Sequence, residues 1–392
     1  MKIELHMIQN FAPACLNRDD TNSPKDCEFG GIRRARISSQ CLKRAVRRSF
    51  REDGLLPAGN LAIRTKRLVD EAVRKLTAAG KDEAAARAAV GAALGGIGLG
   101  VSDDGQTQYL LFLSQQGIDA LSHLCLEHWD QLSKLAKAPA EDESGKKTAK
   151  KAKKDAKDAV PAEVKAALEA VLDGRSAADL ALFGRMLADL PTRNIDAACQ
   201  VAHAISTNKV SMEMDFFTAV DDLKTDADDA GAGMMGMIGY NSACFYRYAV
   251  LDLEQLLDNL GQDSDLARRT VEAFIRASAL AVPTGKQNTF AAHSRPDLVV
   301  ACVQDRQAPL SLANAFVAPA RATESRDLTQ VSADKLADFW TKVTAVYGDG
   351  AAGTFCCGTT LPTELPSAWK NVGSLDKLIA SVLQVAQPGG RP

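Results

Sequence analysis

Arg33, Arg34, Arg36, Lys43, Arg44, Arg47 and Arg48 place seven cationic side chains within residues 33–48 (RRARISSQCLKRAVRR), and no acidic residue stands among them. The chemistry such a cluster can do is anion binding, and a polyphosphate chain is the obvious anion. Arginine presents a planar fork of donors that matches phosphate oxygens. Ser38, Ser39 and Gln40 add neutral donors beside it. The free N–H groups at the start of a helix would add more. A solvated surface helix is the plainer interpretation of any charge run. Such helices ordinarily mix signs, and this one does not. Basic-patch logic therefore favours nucleic acid.

Other chemistry is poorly supported. The five histidines (His6, His123, His128, His203, His293) lack metal-ligand spacing. The glycines at 95–100 (GGIGLG) lack the following helix of a dinucleotide loop. Asp19 and Asp20 could hold a divalent metal near a phosphate, but an Asx-turn, a cap or pairing with neighbouring arginines fits a loop better. Nine cysteines, odd in number and without a Cys-x-x-Cys pair, argue against a disulfide framework or zinc site and for a reducing, cytoplasmic setting. Neither a signal peptide nor a membrane-spanning stretch is expected.

Elements must position the cations. Of 392 residues, 47 are basic and 49 acidic, a formal charge of −2, so the positive charge is local. Residues 2–9 alternate as a half-buried strand, with Ile3, Leu5 and Met7 on one face. Residues 11–36 read as a long loop rich in turn formers. A helix is expected at about 39–52, with Ser38 or Ser39 as N-cap and an apolar stripe of Leu42, Ala45, Val46 and Phe50. Lys43, Arg47, Arg44 and Arg48 project from the other side as i,i+4 pairs. Helices follow at 64–79 and 82–94, a strand within 106–114, and helices at 116–137 and 162–173.

Lysines 146, 147, 150, 151, 153, 154 and 157 form a low-complexity tract that suits a solvated linker or nonspecific duplex contact. Further strands are expected at 178–186, 195–206, 240–251 and 297–304, and helices at 213–223, 252–260, 264–280, 331–346 and 374–386. The Gly-rich stretch 225–239 ends in Met234, Met235, Met237 and Ile238, either folded back or usable, with Met186, as an apolar wedge between stacked bases. The mixture predicts an α+β domain with helical insertions.

CLNRDD at 15–20, PKDCEFGGIRRARISSQCLKRAVR at 24–47, LFGRM at 182–186, VAHAIST at 201–207, DFFTAVDDL at 215–223, FYRYA at 245–249, PTGKQNTFAA at 283–292 and PLSLANAF at 309–316 stand in one order along the chain. That set resembles the CasC-type backbone subunit of type I-E CRISPR Cascade, in the Cas-seven family. The resemblance implies a modified RRM-like (ferredoxin-like) palm over 1–60 and 177–392. A protruding thumb loop would span about 187–240, and a helical fingers insertion 61–176.

It also implies a noncatalytic, cofactor-free subunit that stacks head to tail on CRISPR RNA (crRNA) and presents it to target DNA. Partners would be further copies of itself, a large subunit, a small subunit, a guide 5′-end-binding subunit and the crRNA-processing endonuclease, with no membrane. RNA contacts would come from Arg18, Arg34, Arg36, Ser38, Gln40, Lys43, Arg44, Arg47, Arg48, Met186, Met235, Lys286 and Gln287. DNA contacts would come from Lys146, Lys147, Lys150, Lys151, Lys153 and Lys154. Ile32 departs from the family's lysine after the Gly pair. The alternatives are a metal-dependent endoribonuclease subunit using Asp19 or Asp20, as in type III relatives, and a general RNA chaperone.

Overall fold

The alternating residues at the start become strand β1 (Lys2–Ala14), and both of its faces are covered. On one face lie Ile3, Leu5 and Met7; on the other Glu4 and His6 are just as buried. The polar pair is tolerated because it is hydrogen-bonded. Glu4 accepts from Tyr248 Oη at 2.5 Å and from the Leu310 amide at 2.8 Å. His6 Nδ1 lies 2.9 Å from Tyr246 Oη. The one-sided strand expected from the alternation is thus a central strand with a polar second face, on which Glu4 Oε1 and His6 Nε2 find no hydrogen-bond partner among the described residues.

The structure, a computed structural model, describes residues 1–102, 104–136, 160, 162–171, 175–187, 191–219, 221–223, 234–305 and 308–387. They fall into two units. The first takes Met1–Leu55, Cys199–Glu254 and Arg268 onward; the second takes Leu56–Ala198 and Gln255–Ala267.

In the first unit β1 is followed by β2 (Asp26–Phe29), β3 (Ile32–Ile37) and α1 (Ser39–Glu52). The loop expected at 11–36 therefore contains a hairpin. Phe29 pairs with Ile32 across Gly30 and Gly31, both at positive φ, the geometry of a two-residue primed turn. The chain later returns with β6 (Cys199–Val201), β7 (Ala204–Ser206), β8 (Glu213–Ala219) and the long β9 (Met234–Asp252). The helix expected at 213–223 is the strand β8, paired antiparallel with the first half of β9. Helix α8 (Leu253–Asn259) follows β9, and helix α9 (Ser264–Leu280), of which Arg268 onward lies in this unit, leads through a short helix α10 (Gln287–Phe290) to β10 (Leu298–Gln304). Then come α11 (Leu328–Tyr347), β11 (Ala351–Gly358), β12 (Trp369–Asn371) and α12 (Leu375–Ala386).

Within the ten-stranded sheet, four neighbours run β10-β1-β9-β7, each pair antiparallel. Traced along the chain, these are β1–α1–β7–β9–α9–β10, the split βαβ arrangement of a ferredoxin-like fold. On one face Leu42 of α1 packs with Phe11, Ile37 and Phe245. Buried Arg247 of β9 donates to Gln9 Oε1 at 2.6 Å and to the Ser278 carbonyl of α9 at 2.7 Å. On the other face Ile8, Tyr246, Val300 and Cys302 pack with Phe316, Leu336 and Trp340.

The second unit is mostly helical, with α2 (Leu68–Ala78), α3 (Glu83–Gly96), α4 (Gln115–Glu127), α5 (Trp129–Ala136), α6 (Ala162–Val171) and α7 (Ala178–Phe183). Among the described residues β4 (Ala62–Thr65) pairs with β5 (Leu111–Ser114). Leu68, Val73, Leu76, Val90, Ile118, Leu121 and Leu168 share one apolar cluster. Residues 178–183 are helix α7, not the expected strand. Buried Asp179 in its first turn accepts the Ala62 amide at 2.7 Å, fixing the helix start to β4.

Candidate nucleic-acid interface

Helix α1 carries the cationic cluster, and its docking decides which cations reach solvent. Ser38 is the N-cap, its Oγ accepting from the Cys41 amide at 3.3 Å. The Asn17 side chain in turn accepts the Ser38 amide at 2.8 Å, so the preceding loop is tied to the helix start. Leu42, Ala45, Val46, Ser49 and Phe50 are buried. Arg44 and Gln40 are exposed; Lys43, Arg47 and Arg48 are half-buried.

The seven cations are not equivalent. Arg34 lies on β3 and is 0% exposed. Its guanidinium donates to the carbonyls of Ser206 (3.1 Å), Thr207 (2.8 Å), Phe316 (2.7 Å) and Val317 (3.1 Å). Burial lowers its affinity for its proton, and no carboxylate faces it. Arg34 is therefore a brace that holds two loops onto β3, and it leaves the set of RNA contacts. Arg33 pairs with Asp26 at 2.5 Å, and Arg48 with Glu52 at 2.6 Å. The acid-free segment thus borrows acids from either side. Exposed pairs of this kind contribute about 0–1 kcal/mol, so a phosphate can compete with them.

At the helix start, Arg36 Nη1 lies 3.3 Å from His203 Nδ1, which also accepts the Ser39 amide at 3.2 Å. A ring nitrogen that accepts must carry a lone pair. The His203 pKa is lowered, first by burial and then by the charges of Arg36 and Lys25. The imidazole thus registers a positive field at the α1 N-terminus. Sequence spacing gave no sign of His203 or Lys25 as neighbours of this site, because the contacts join β3, α1 and the start of β7.

Beside α1 a hollow of about 470 Å³ is walled by Asn17, Arg18, Asp19, Arg44, Thr284 and Gly285. Arg44 Nη1 donates to Thr284 Oγ1 at 3.4 Å across it. Gly285 makes the far wall possible: a Cβ there would stand 2.3 Å from the Leu16 carbonyl oxygen. Exposed Arg18 contacts Asn22 Oδ1. Asp19 accepts from the Thr21 amide (2.9 Å), Thr21 Oγ1 (2.8 Å) and the Ser23 amide (2.9 Å), and these bonds, the Thr21 hydroxyl first, hold its carboxyl below the usual range. That is an Asx-type turn. Among the described residues no group of three or more His, Cys, Asp or Glu side chains could hold a metal.

The other expected contacts scatter. Lys286 lines the same loop in a left-handed conformation, half-buried. Gln287 donates to the carbonyls of Pro283 (2.8 Å) and Ala292 (3.2 Å), so its amide closes the loop on itself. Met235 is exposed on the β8–β9 arm of the first unit. Met186 is exposed in the second, beside buried Arg185, which donates to the Phe112 and Arg193 carbonyls. Lys146, Lys147, Lys150, Lys151, Lys153 and Lys154 lie outside the described residues, as do 225–233 of the Gly-rich stretch. Among the described residues no helix is long and apolar enough to cross a membrane.

A ferredoxin-like sheet with a cation-bearing helix packed on one face defines an α+β protein with an exposed cationic surface. The chain belongs to the CT1975-like protein family, whose model matches residues 3–381. It is similar to a chain of a solved structure described as "CRISPR RNA-guided surveillance complex, pre-nicking", with 32% identity, a TM-score of 0.83, and 97% of this chain and 100% of that one covered. A second similar chain, from a "CRISPR RNA-guided surveillance complex", has 27% identity, a TM-score of 0.72 and the same coverage. No curated protein sequence matches the chain.

Proposed function

We propose that this chain is a noncatalytic backbone subunit of a CRISPR RNA-guided surveillance complex of the type I-E kind. Copies stack head to tail along crRNA in the cytoplasm and hold it for pairing with target DNA. The large, small, guide-5′-end-binding and RNA-processing subunits complete the assembly. The observation that carries this reading is the α1 surface: Arg36, Lys43, Arg44 and Arg47 around a capped helix start, on a chain whose full length is similar to a subunit of such a complex.

The physics suits the role. Phosphate contacts position a strand without reading its sequence, and base pairing supplies specificity. Arg18, Ser38, Gln40, Arg48 and Lys286 extend the same track. Met186 and Met235 supply apolar side chains against displaced bases, as wedges do in proteins that deform nucleic acids. The lysines at 146–154 would grip incoming duplex.

Asp19 is held by its own turn, which counts against Asp19 as the metal-binding residue of an endoribonuclease. The test is co-purification: a guide-length RNA and partner subunits should come down with the chain, and Arg44→Glu with Arg47→Glu should abolish RNA recovery while circular dichroism stays unchanged. Guide-loaded complexes of ordinary yield from that double variant would contradict the proposal.

A further inference from the structure

One face of the β8–β9 arm is built largely of thioethers. In the ladder Met214 opposes Gly239, Phe216 opposes Met237 and Thr218 opposes Met235. Directly opposed residues of an antiparallel pair share a face. Met214, Phe216, Met235 and Met237 therefore form one surface, and they are 54%, 60%, 68% and 62% exposed. A contiguous apolar surface on a soluble chain marks a contact site. Leucine or isoleucine would supply the same apolar area. Methionine differs because its sulfur can be oxidised, which turns a flexible apolar side chain into a polar one.

Other methionines are exposed as well, Met186 at 83%, Met212 at 38% and Met234 at 58%. Met7 is buried. Seven of the nine cysteines are buried, and Cys27 and Cys41 are half-buried. Burial also raises the pKa of those two thiols, which depletes the reactive thiolate.

We propose that Met214, Met235 and Met237 form an oxidative modification site, and that their conversion to sulfoxides by a peroxide releases the arm from bound guide RNA. This rests on the reading of the arm as an apolar contact to the guide. In the step, a sulfur lone pair attacks one peroxide oxygen and the O–O bond breaks. Sulfur gains the oxygen and loses two electrons. The peroxide is reduced, its second oxygen leaving as water after taking up the proton. Methionine sulfoxide reductases reverse the change.

The experiment measures affinity for a guide-length single-stranded RNA before and after hydrogen peroxide, with sulfoxides mapped by mass spectrometry. The wild-type chain is compared with Met214→Leu/Met235→Leu/Met237→Leu, each against its own untreated value. The expected result is at least a tenfold loss for the oxidised wild type, recovery after treatment with both sulfoxide reductases, and a treated-to-untreated ratio near one for the leucine variant. Undiminished binding by wild type carrying all three sulfoxides overturns the inference and leaves the function standing. Loss in the wild type that the reductases do not restore, or an equal loss in the leucine variant, also overturns it. Failure of the untreated wild type to bind RNA at all overturns both.

Discussion

Arg34 and Arg44 stand ten positions apart and meet opposite fates. Arg34 is enclosed by four carbonyl oxygens, whereas Arg44 reaches solvent and Thr284. Removing a buried charged donor strands its acceptors, at roughly 3 kcal/mol for a group of this kind. Arg34→Met should therefore lower Tm by about 6–12 °C in a scanning fluorimetry melt. Arg44→Met should shift Tm little and act on RNA affinity instead. Equal shifts would contradict the brace. The sequence could not separate the two, because residues 33–36 read as loop and gave no face to assign.

His6 allows a pH test. Burial pushes its pKa down from 6.5 to about 3. The unfolded chain therefore binds more protons than the folded one below about 6.5, and stability must fall as pH drops from there towards 3. Above 6.5 the residue contributes no slope. Urea midpoints between pH 7.5 and 5 should decline for the wild type and decline less for His6→Gln. Identical slopes would mean that His6 is not held neutral.

At the scale of elements, α1 was legible because local signals agree: a serine cap and an apolar stripe at helical spacing. The helix at 264–280 was legible for the same reason. Ser38→Ala should cost about 1 kcal/mol through loss of the cap. It should also weaken RNA binding through loss of the Ser38 hydroxyl beside the arginines, while the Asn17 contact, made by the Ser38 amide, is kept. A stability loss without any change in affinity would show the cap to be structural only.

Other elements failed for lack of local information. Residues 213–219 (EMDFFTA) carry apolar side chains at spacings that suit either a helix or a strand, and only the pairing with β9 decides. Six residues at 178–183 are too short a run to arbitrate by period, and the Asp179 contact with Ala62 settles them as helix. The β2–β3 hairpin was hidden among turn formers, although Gly30-Gly31 between Phe29 and Ile32 was its signal.

At the scale of the molecule, the mixture of strand and helix patterns predicted an α+β protein, and the fold is of that class. The order β10-β1-β9-β7 was not legible, because it joins strands more than two hundred residues apart. Likewise the site's parts come from β1's exit loop, β3, α1, β7 and the 283–287 loop. The arginine cluster is where the proposed chemistry was legible. The fold chose which of its members take part.

The most direct test is the salt dependence of affinity for a guide-length single-stranded RNA, with wild type and Arg44→Glu/Arg47→Glu side by side. If about four phosphates are neutralised, log K should fall against log salt with a slope near −3 for the wild type. The variant should bind at least a hundredfold more weakly and with a shallower slope. Equal affinities and equal slopes would place the RNA somewhere other than α1.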